Sequence, residues 1–222
     1  MLKNKRNEVN KNKNCINELY DALGLKKIVS LQEFVLEKGF ILLFYFKNFM
    51  VQITKATMAD APALNKLINS AYRGEGSKKG WTTEADLLTG SRIEEEEIKK
   101  IITGKNSFIL KYAENEKITA CVLLEKRAEA LYLGMLSVSP ELQGRGVGKE
   151  LLKTAEVYAE QLKCIKIEMT VISLRHELIA WYQRHGYMDT GKRKRFPVEM
   201  QKFEIAATPL EFAILEKDLI QK

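Results

Sequence analysis

Metal-binding patterns are missing from this sequence. It contains two histidines, His176 and His185, in one short stretch, and three cysteines, Cys15, Cys121 and Cys164, far apart. No Cys-x-x-Cys pair and no mixed Cys/His spacing occurs, which removes structural zinc and dithiol chemistry from consideration. Scattered cysteines, two of them in apolar runs, read as small buried hydrophobes in a reducing cytoplasm. A stretch long enough to cross a bilayer is missing too. The most apolar run, Phe40 to Phe46, is far short of the roughly 20 residues a spanning helix needs. It also lies too far along the chain for an ordinary signal peptide. Internal repeats are not visible.

A charge excess of one sign is nearly absent from the body of the chain. The formal net charge is +7, but the first fifty residues hold nine Lys/Arg against five Asp/Glu and account for +4 of it. The remaining 27 basic and 24 acidic residues leave only +3. Aromatic residues are not interleaved with basic ones as a stacking platform requires, so a nucleic-acid binder is disfavoured. Residues 1–49 begin Lys/Asn-rich, with an amphipathic helix expected from Leu19 to Leu36. They read as a flexible or weakly structured extension to a domain spanning 50–222.

From residue 50 the hydrophobic spacing predicts a definite order of elements. Val51 to Thr54 alternate as a strand, and Thr57 or Asp60 opens a helix through Asn69. A loop rich in Gly and Lys covers 71–92, and Glu94 to Ile102 forms a second helix. Strands follow at Ser107 to Ala113, Ile118 to Lys126 and Glu129 to Val138, an antiparallel meander. Val147 to Leu162 has helical spacing, Ile165 to Ile172 is a strand, and Leu178, Ile179 and Tyr182 mark a further helix ending near Gly186. A last strand is expected at Leu210 to Leu215. The whole predicts an α/β (α+β) domain with a mixed sheet.

The segment between the meander and the long helix carries the chemistry. Gln143-Gly144-Arg145-Gly146-Val147-Gly148-Lys149 opens a helix directly after a strand. Glycines let backbone N–H groups approach an oxyanion, and the helix N-terminus favours negative charge. A P-loop is excluded, because Gln143 stands where its first glycine belongs and Glu150 where its Ser/Thr belongs. The dinucleotide fingerprint is disfavoured by the Gly-x-Gly-x-Gly spacing after an antiparallel meander. Gln143, Gly146 and Gly148 match the Gln/Arg-x-x-Gly-x-Gly/Ala pattern of the GNAT N-acetyltransferases, and residues 133–152 resemble that family's central motif. Residues 175–187 resemble its aromatic-x-x-x-Gly-Phe/Tyr helix, with Tyr182, Gly186 and Tyr187 in register. The resemblance spans about 51–217. It implies a three-layer fold with a mixed, mostly antiparallel central sheet flanked by helices, and acetyl-coenzyme A as cofactor.

The resemblance also implies roles. The acetyl-pantetheine arm would run along the backbone of Leu136, Ser137 and Val138, and the pyrophosphate would rest on Gln143 to Lys149. Tyr182 takes the place of the tyrosine that protonates the departing thiolate; its alternative role is a core aromatic. The catalytic Glu of some relatives corresponds to Tyr132 here, and that of others to Thr170. Glu168, two residues earlier on the same strand face, is the candidate base, or else a solvated strand charge. Arg175 replaces an Asn that contacts the pantetheine arm, and a guanidinium can instead meet a phosphate or an anionic acceptor.

The resemblance also places the loop over 71–92 on the acceptor side, where it would contribute Tyr72, Arg73, Trp81 and Glu84. Glu84 is suited to a cationic amine, Arg73 to a carboxylate, and Trp81 to a lid or to anchoring the loop. The Gly191 to Phe196 run reads as a solvated basic turn, the alternative being contact with an acidic partner or the coenzyme's 3′-phosphate. The expected activity is acetylation of a small-molecule or amino-acid-like amine in the cytoplasm, without nucleic acid or stable membrane insertion, with a homodimer open. A protein lysine or N-terminal acceptor is the alternative, and a non-catalytic acyl-coenzyme A sensor is the reading from another class.

Overall fold

The computed structural model describes residues 51–197 and 209–219. The expected extension over 1–49, with its helix and its apolar run, lies outside the described residues. Strand β1 (Val51–Lys55) leads through a 3₁₀ turn at Met58–Asp60 into helix α1 (Ala61–Tyr72), followed by one helical turn, α2 (Gly74–Ser77), and by α3 (Glu95–Thr103). Three strands then run as β2 (Ser107–Glu114), β3 (Lys117–Arg127) and β4 (Ala130–Val138). A second 3₁₀ turn at Pro140–Leu142 precedes α4 (Val147–Gln161), β5 (Lys166–Ile172), α5 (His176–Arg184), β6 (Met188–Arg195) and β7 (Glu211–Asp218).

Among the described residues the strands form a seven-stranded sheet in the order β1-β2-β3-β4-β5-β7-β6. Every pairing is antiparallel except β4 with β5. Both faces are covered, giving three layers. On one face the stripe Val147, Leu151, Leu152, Ala155 and Ala159 of α4 packs on Leu131, Leu133 and Ile167 of the sheet. Burying leucines such as Leu151 and Leu152 in full stabilises by roughly 1.5–3 kcal/mol each. On the other face Leu64, Ile68 and Ile98 of α1 and α3 pack with Ile109, Cys121 and Met135. Glu94 is the N-cap of α3, its backbone N–H bonded to the Glu97 carboxylate at 3.2 Å, and the acidic first turn faces the positive helix end.

Helix α1 begins at Ala61 with Asp60 as its N-cap, one of the two openings the sequence offers, after Thr57–Asp60 has closed as a 3₁₀ segment through a capping box. One expectation needs correction. The Gly191 to Phe196 run is not a turn: residues 191–195 belong to β6, paired with β7 from Arg193↔Ala213 to Arg195↔Glu211. Its side chains are almost all exposed, so no apolar alternation announces the strand.

Two irregularities position the functional region. The β3–β4 register shifts between Cys121 and Leu123, where β4 spends one residue more than β3, and Met135 takes φ +48°. This bulge turns Met135 to the α1 side of the sheet, although Leu131 and Leu133 face α4. Just before it, β4 and β5 part. They pair only through Ala130↔Lys166, Leu131↔Ile167 and Tyr132↔Glu168, so residues 134–138 of β4 lose their neighbour on that edge.

Candidate active site

The parted strands create two adjoining clefts. The first is lined by Leu136, Ser137 and Val138 of β4, the glycine loop from Gln143 to Lys149 without Arg145, and Trp181, Tyr182 and His185 of α5. Gly144 and Gly146 sit at φ +80° and +87°, and a Cβ on either would meet nothing within 4 Å. Their cost to other residues is therefore conformational, not steric. Gly146 is the N-cap of α4 and offers no capping side chain. The N–H groups of Val147, Gly148 and Lys149 consequently have no intrahelical acceptor. That is a cradle of donors at a helix N-terminus, suited to a diphosphate. Gly146→Ala should cost about 1–2 kcal/mol of stability through its left-handed backbone and weaken coenzyme A binding. Denaturant unfolding and calorimetric titration measure the two effects.

The Gln143 side chain serves the protein itself. Its Oε1 accepts from Trp81 N at 2.9 Å and its Nε2 donates to Val138 O at 3.2 Å, tying the 71–92 loop to the end of β4. The Trp81 ring stands 6.3 Å from Trp181, which in turn lies 4.4 Å from the His185 ring. His185 Nδ1 donates to Trp181 O at 2.8 Å.

The second cleft opens between β4 and β5. Tyr132, Gly134, Met135, Thr170 and Val171 line it, with Tyr72, Glu84, Arg92, Arg175 and Lys194 around them. Tyr132 Oη and Thr170 Oγ1 share a hydrogen bond of 2.9 Å. Tyr72, Leu136, Arg175, Leu178 and Tyr182 line both clefts. Tyr72 donates to Leu136 O at 3.2 Å, and burial pushes its phenol up to about 12. Tyr182 is buried, and that burial, reinforced by the neighbouring Tyr72, drives its phenol well above the usual tyrosine range. No hydrogen-bond partner engages its hydroxyl among the described residues.

Arg73, Glu84 and Arg175 form a buried cluster. Glu84 Oε2 lies 3.0 Å from Arg73 Nη1 and Oε1 3.1 Å from Arg175 Nη1, and all three side chains are 6–7% exposed. Arg175 Nη2 also donates to Thr82 Oγ1 at 2.9 Å, and that hydroxyl donates to Glu177 at 2.7 Å. Glu84 is thus held by two guanidinium groups and does not wait for a cationic amine. Arg73 lines neither cleft and its carboxylate partner is Glu84.

Glu168 is placed away from both clefts. It sits opposite Tyr132, where β4 and β5 are still paired, and its carboxylate lies 3.8 Å from Lys166. Arg145 likewise lines neither cleft. Leu178 and His185 lie four residues before and three after Tyr182, a helical spacing that carries them to the same face, whereas Trp181 adjoins Tyr182 and has no such signal. Lys194 lacks one too, because its strand reads as a turn.

The sequence model described as the Acetyltransferase (GNAT) family matches residues 63–187. The chain belongs to the GNAT acetyltransferase family. No curated protein sequence matches it. Among solved structures it is similar to a ribosomal-protein alanine N-acetyltransferase from Escherichia coli, at 15% identity and TM-score 0.59, covering 78% of this chain and 96% of that one. An N-acetyltransferase from Staphylococcus aureus matches at 16% identity and TM-score 0.58, covering 78% and 99%. The PaiA N-acetyltransferase of Thermoplasma acidophilum, in complex with coenzyme A, matches at 17% and 0.52, covering 76% and 98%. At such identities the likeness concerns the GNAT fold. The family's acetyl donor is acetyl-coenzyme A, and the open, donor-rich glycine loop fits its pyrophosphate. Among the described residues no helix is long and apolar enough to cross a membrane.

Proposed function

We propose that the protein transfers the acetyl group of acetyl-coenzyme A to a primary amine of a small-molecule or amino-acid-like acceptor, by direct attack while both are bound. The catalytic domain is residues 50–222, with 1–49 an extension to it. One observation carries the reading: Tyr182 stands in the wall common to the glycine-loop cleft and the cleft between the parted strands. When bound, acetyl-coenzyme A supplies an acetyl thioester. The N–H groups opening α4 hold its pyrophosphate, and Lys149 adds a mobile positive charge. The β4 segment Leu136–Val138, free of a neighbouring strand, lends backbone groups to the pantetheine arm and to the oxyanion. Tyr182 delivers a proton to the departing sulfur, a task its protonated phenol suits.

The test is coenzyme A release from acetyl-coenzyme A across a broad amine panel, followed as a function of pH. A phenol raised by burial keeps its proton through the neutral and mildly alkaline range, while a free amine acceptor becomes more available as pH rises. Release should therefore climb with pH and hold level to about pH 10, the ordinary tyrosine value. A fall in kcat between about pH 7.5 and 9, below that value, would remove Tyr182 from the acid role. Coenzyme A binding without turnover on any amine, peptide or protein would instead favour the sensor reading.

A further inference from the structure

The cleft between β4 and β5 is unusual in its charge. The ionisable groups of opposite sign that line it are Arg92, Arg175 and Lys194 against Glu84 alone. Glu84 is already shared between Arg175 and Arg73 at 3.1 and 3.0 Å. The lining alone therefore sums to +2, three cations less one carboxylate, and including Arg73 makes the cluster +3. Among the described residues neither Arg92 nor Lys194 has a carboxylate within ion-pair distance. Arg92 leans over the Tyr72 ring at 5.3 Å, and Lys194 is exposed on β6 at the cleft. Arg175 is 7% exposed, and its Nε is buried without a hydrogen-bond partner. A buried donor without an acceptor costs free energy, and an uncompensated cluster of cations costs more. The polar groups that complete the cleft, Tyr132 and Thr170, are neutral and bonded to each other at 2.9 Å.

From this we infer that the acceptor amine carries an anionic group, a carboxylate or comparable oxyanion a few bonds from the nitrogen, and that Arg92 and Lys194 are its counter-charges. The inference rests on the proposed transferase reading and narrows its acceptor class. Arg175, fixed by Glu84 and Thr82, presents a positive wall behind the anion. Amines bearing a second cation, such as polyamines, meet a net like charge in this cleft, its one carboxylate already shared by two guanidinium groups, and are rejected. A fork-shaped guanidinium suits a carboxylate in two-point contact, whereas Lys194 at the mouth acts as a point charge.

The experiment separates recognition from turnover. The full chain, saturated with coenzyme A, is titrated calorimetrically with N-acetyl amino acids whose carboxylate lies one to four carbons from the nitrogen, and with their matched carboxamides. At least one carboxylate should bind about tenfold or more tighter than its amide, the scale of one charge-assisted contact. Arg92→Gln and Lys194→Gln should erase that preference while leaving coenzyme A affinity unchanged, and Arg92→Glu should reverse it. Equal or tighter binding of the amides throughout overturns the inference, as does a carboxylate preference that survives both substitutions. Coenzyme A release with free amino acids and their amides is measured alongside. Turnover that favours the amides, or polyamines, sinks the anionic acceptor and leaves the transferase standing. Carboxylate-selective binding with no turnover sinks the transferase and leaves the anion site.

Discussion

Replacing Tyr182 by phenylalanine should lower kcat by about 100-fold or more, the usual contribution of a positioned general acid. The Michaelis constant for acetyl-coenzyme A and the melting temperature should change little. The aromatic body of Tyr182 belongs to the core cluster that includes Tyr187 and Leu152, and the substitution keeps it. Only the hydroxyl is lost, and that hydroxyl has no protein partner among the described residues to leave stranded. Steady-state kinetics with the best acceptor, at saturating acetyl-coenzyme A, gives the answer. An unchanged kcat would return Tyr182 to a packing role, edge-on to Trp181 at 5.0 Å and to Tyr187 at 5.8 Å.

The second large effect is on stability. Glu84→Gln keeps the shape of the side chain but removes the negative charge between two guanidinium groups that are almost fully buried. Breaking a buried pair on one side leaves an uncompensated charge and costs about 3–5 kcal/mol. For a chain of this size that corresponds to roughly 6–20 °C in Tm. Urea unfolding measures it. Adding Arg73→Met to Glu84→Gln should recover part of the loss, since one of the two stranded cations is then gone. A single variant as stable as the parent would mean that the cluster is hydrated and contributes little.

The donor half of the site was open to reading because its information is local. Gln143, Gly146 and Gly148 fall within one turn of chain, and the left-handed backbone at Gly146 is a demand only glycine meets cheaply. The helix after it showed itself through the spacing of Leu151, Leu152, Ala155 and Ala159, and Tyr182 through the helix that ends at Gly186. The acceptor half depends on groups brought together from distant parts of the sequence. Nothing near Glu84 says that Arg175 will reach its carboxylate, ninety-one residues on. Nor does the Gly134-Met135 pair distinguish a bulged strand from a straight one, yet the bulge re-aims Met135 just past the point where β4 parts from β5. Glu168 shares a strand face with Thr170, as read. Two residues of rise were enough to leave it where the strands still pair, while Thr170 reaches the cleft. β6 stayed hidden because both its faces are charged, so the period-two signal that marks a half-buried strand never arises.

That last strand has a consequence for how the molecule behaves in company. Among the described residues β6 is the outermost strand beyond β7, and an unpaired strand edge invites another chain to add itself. Lys192, Arg193, Lys194 and Arg195 stand in succession along it, all exposed. A second copy approaching edge to edge would set this row of cations against its own image, and in antiparallel pairing like charges face one another across the joint. The basic run therefore disfavours strand-by-strand self-assembly along this edge, at the same place where one of its members closes the rim of the acceptor cleft.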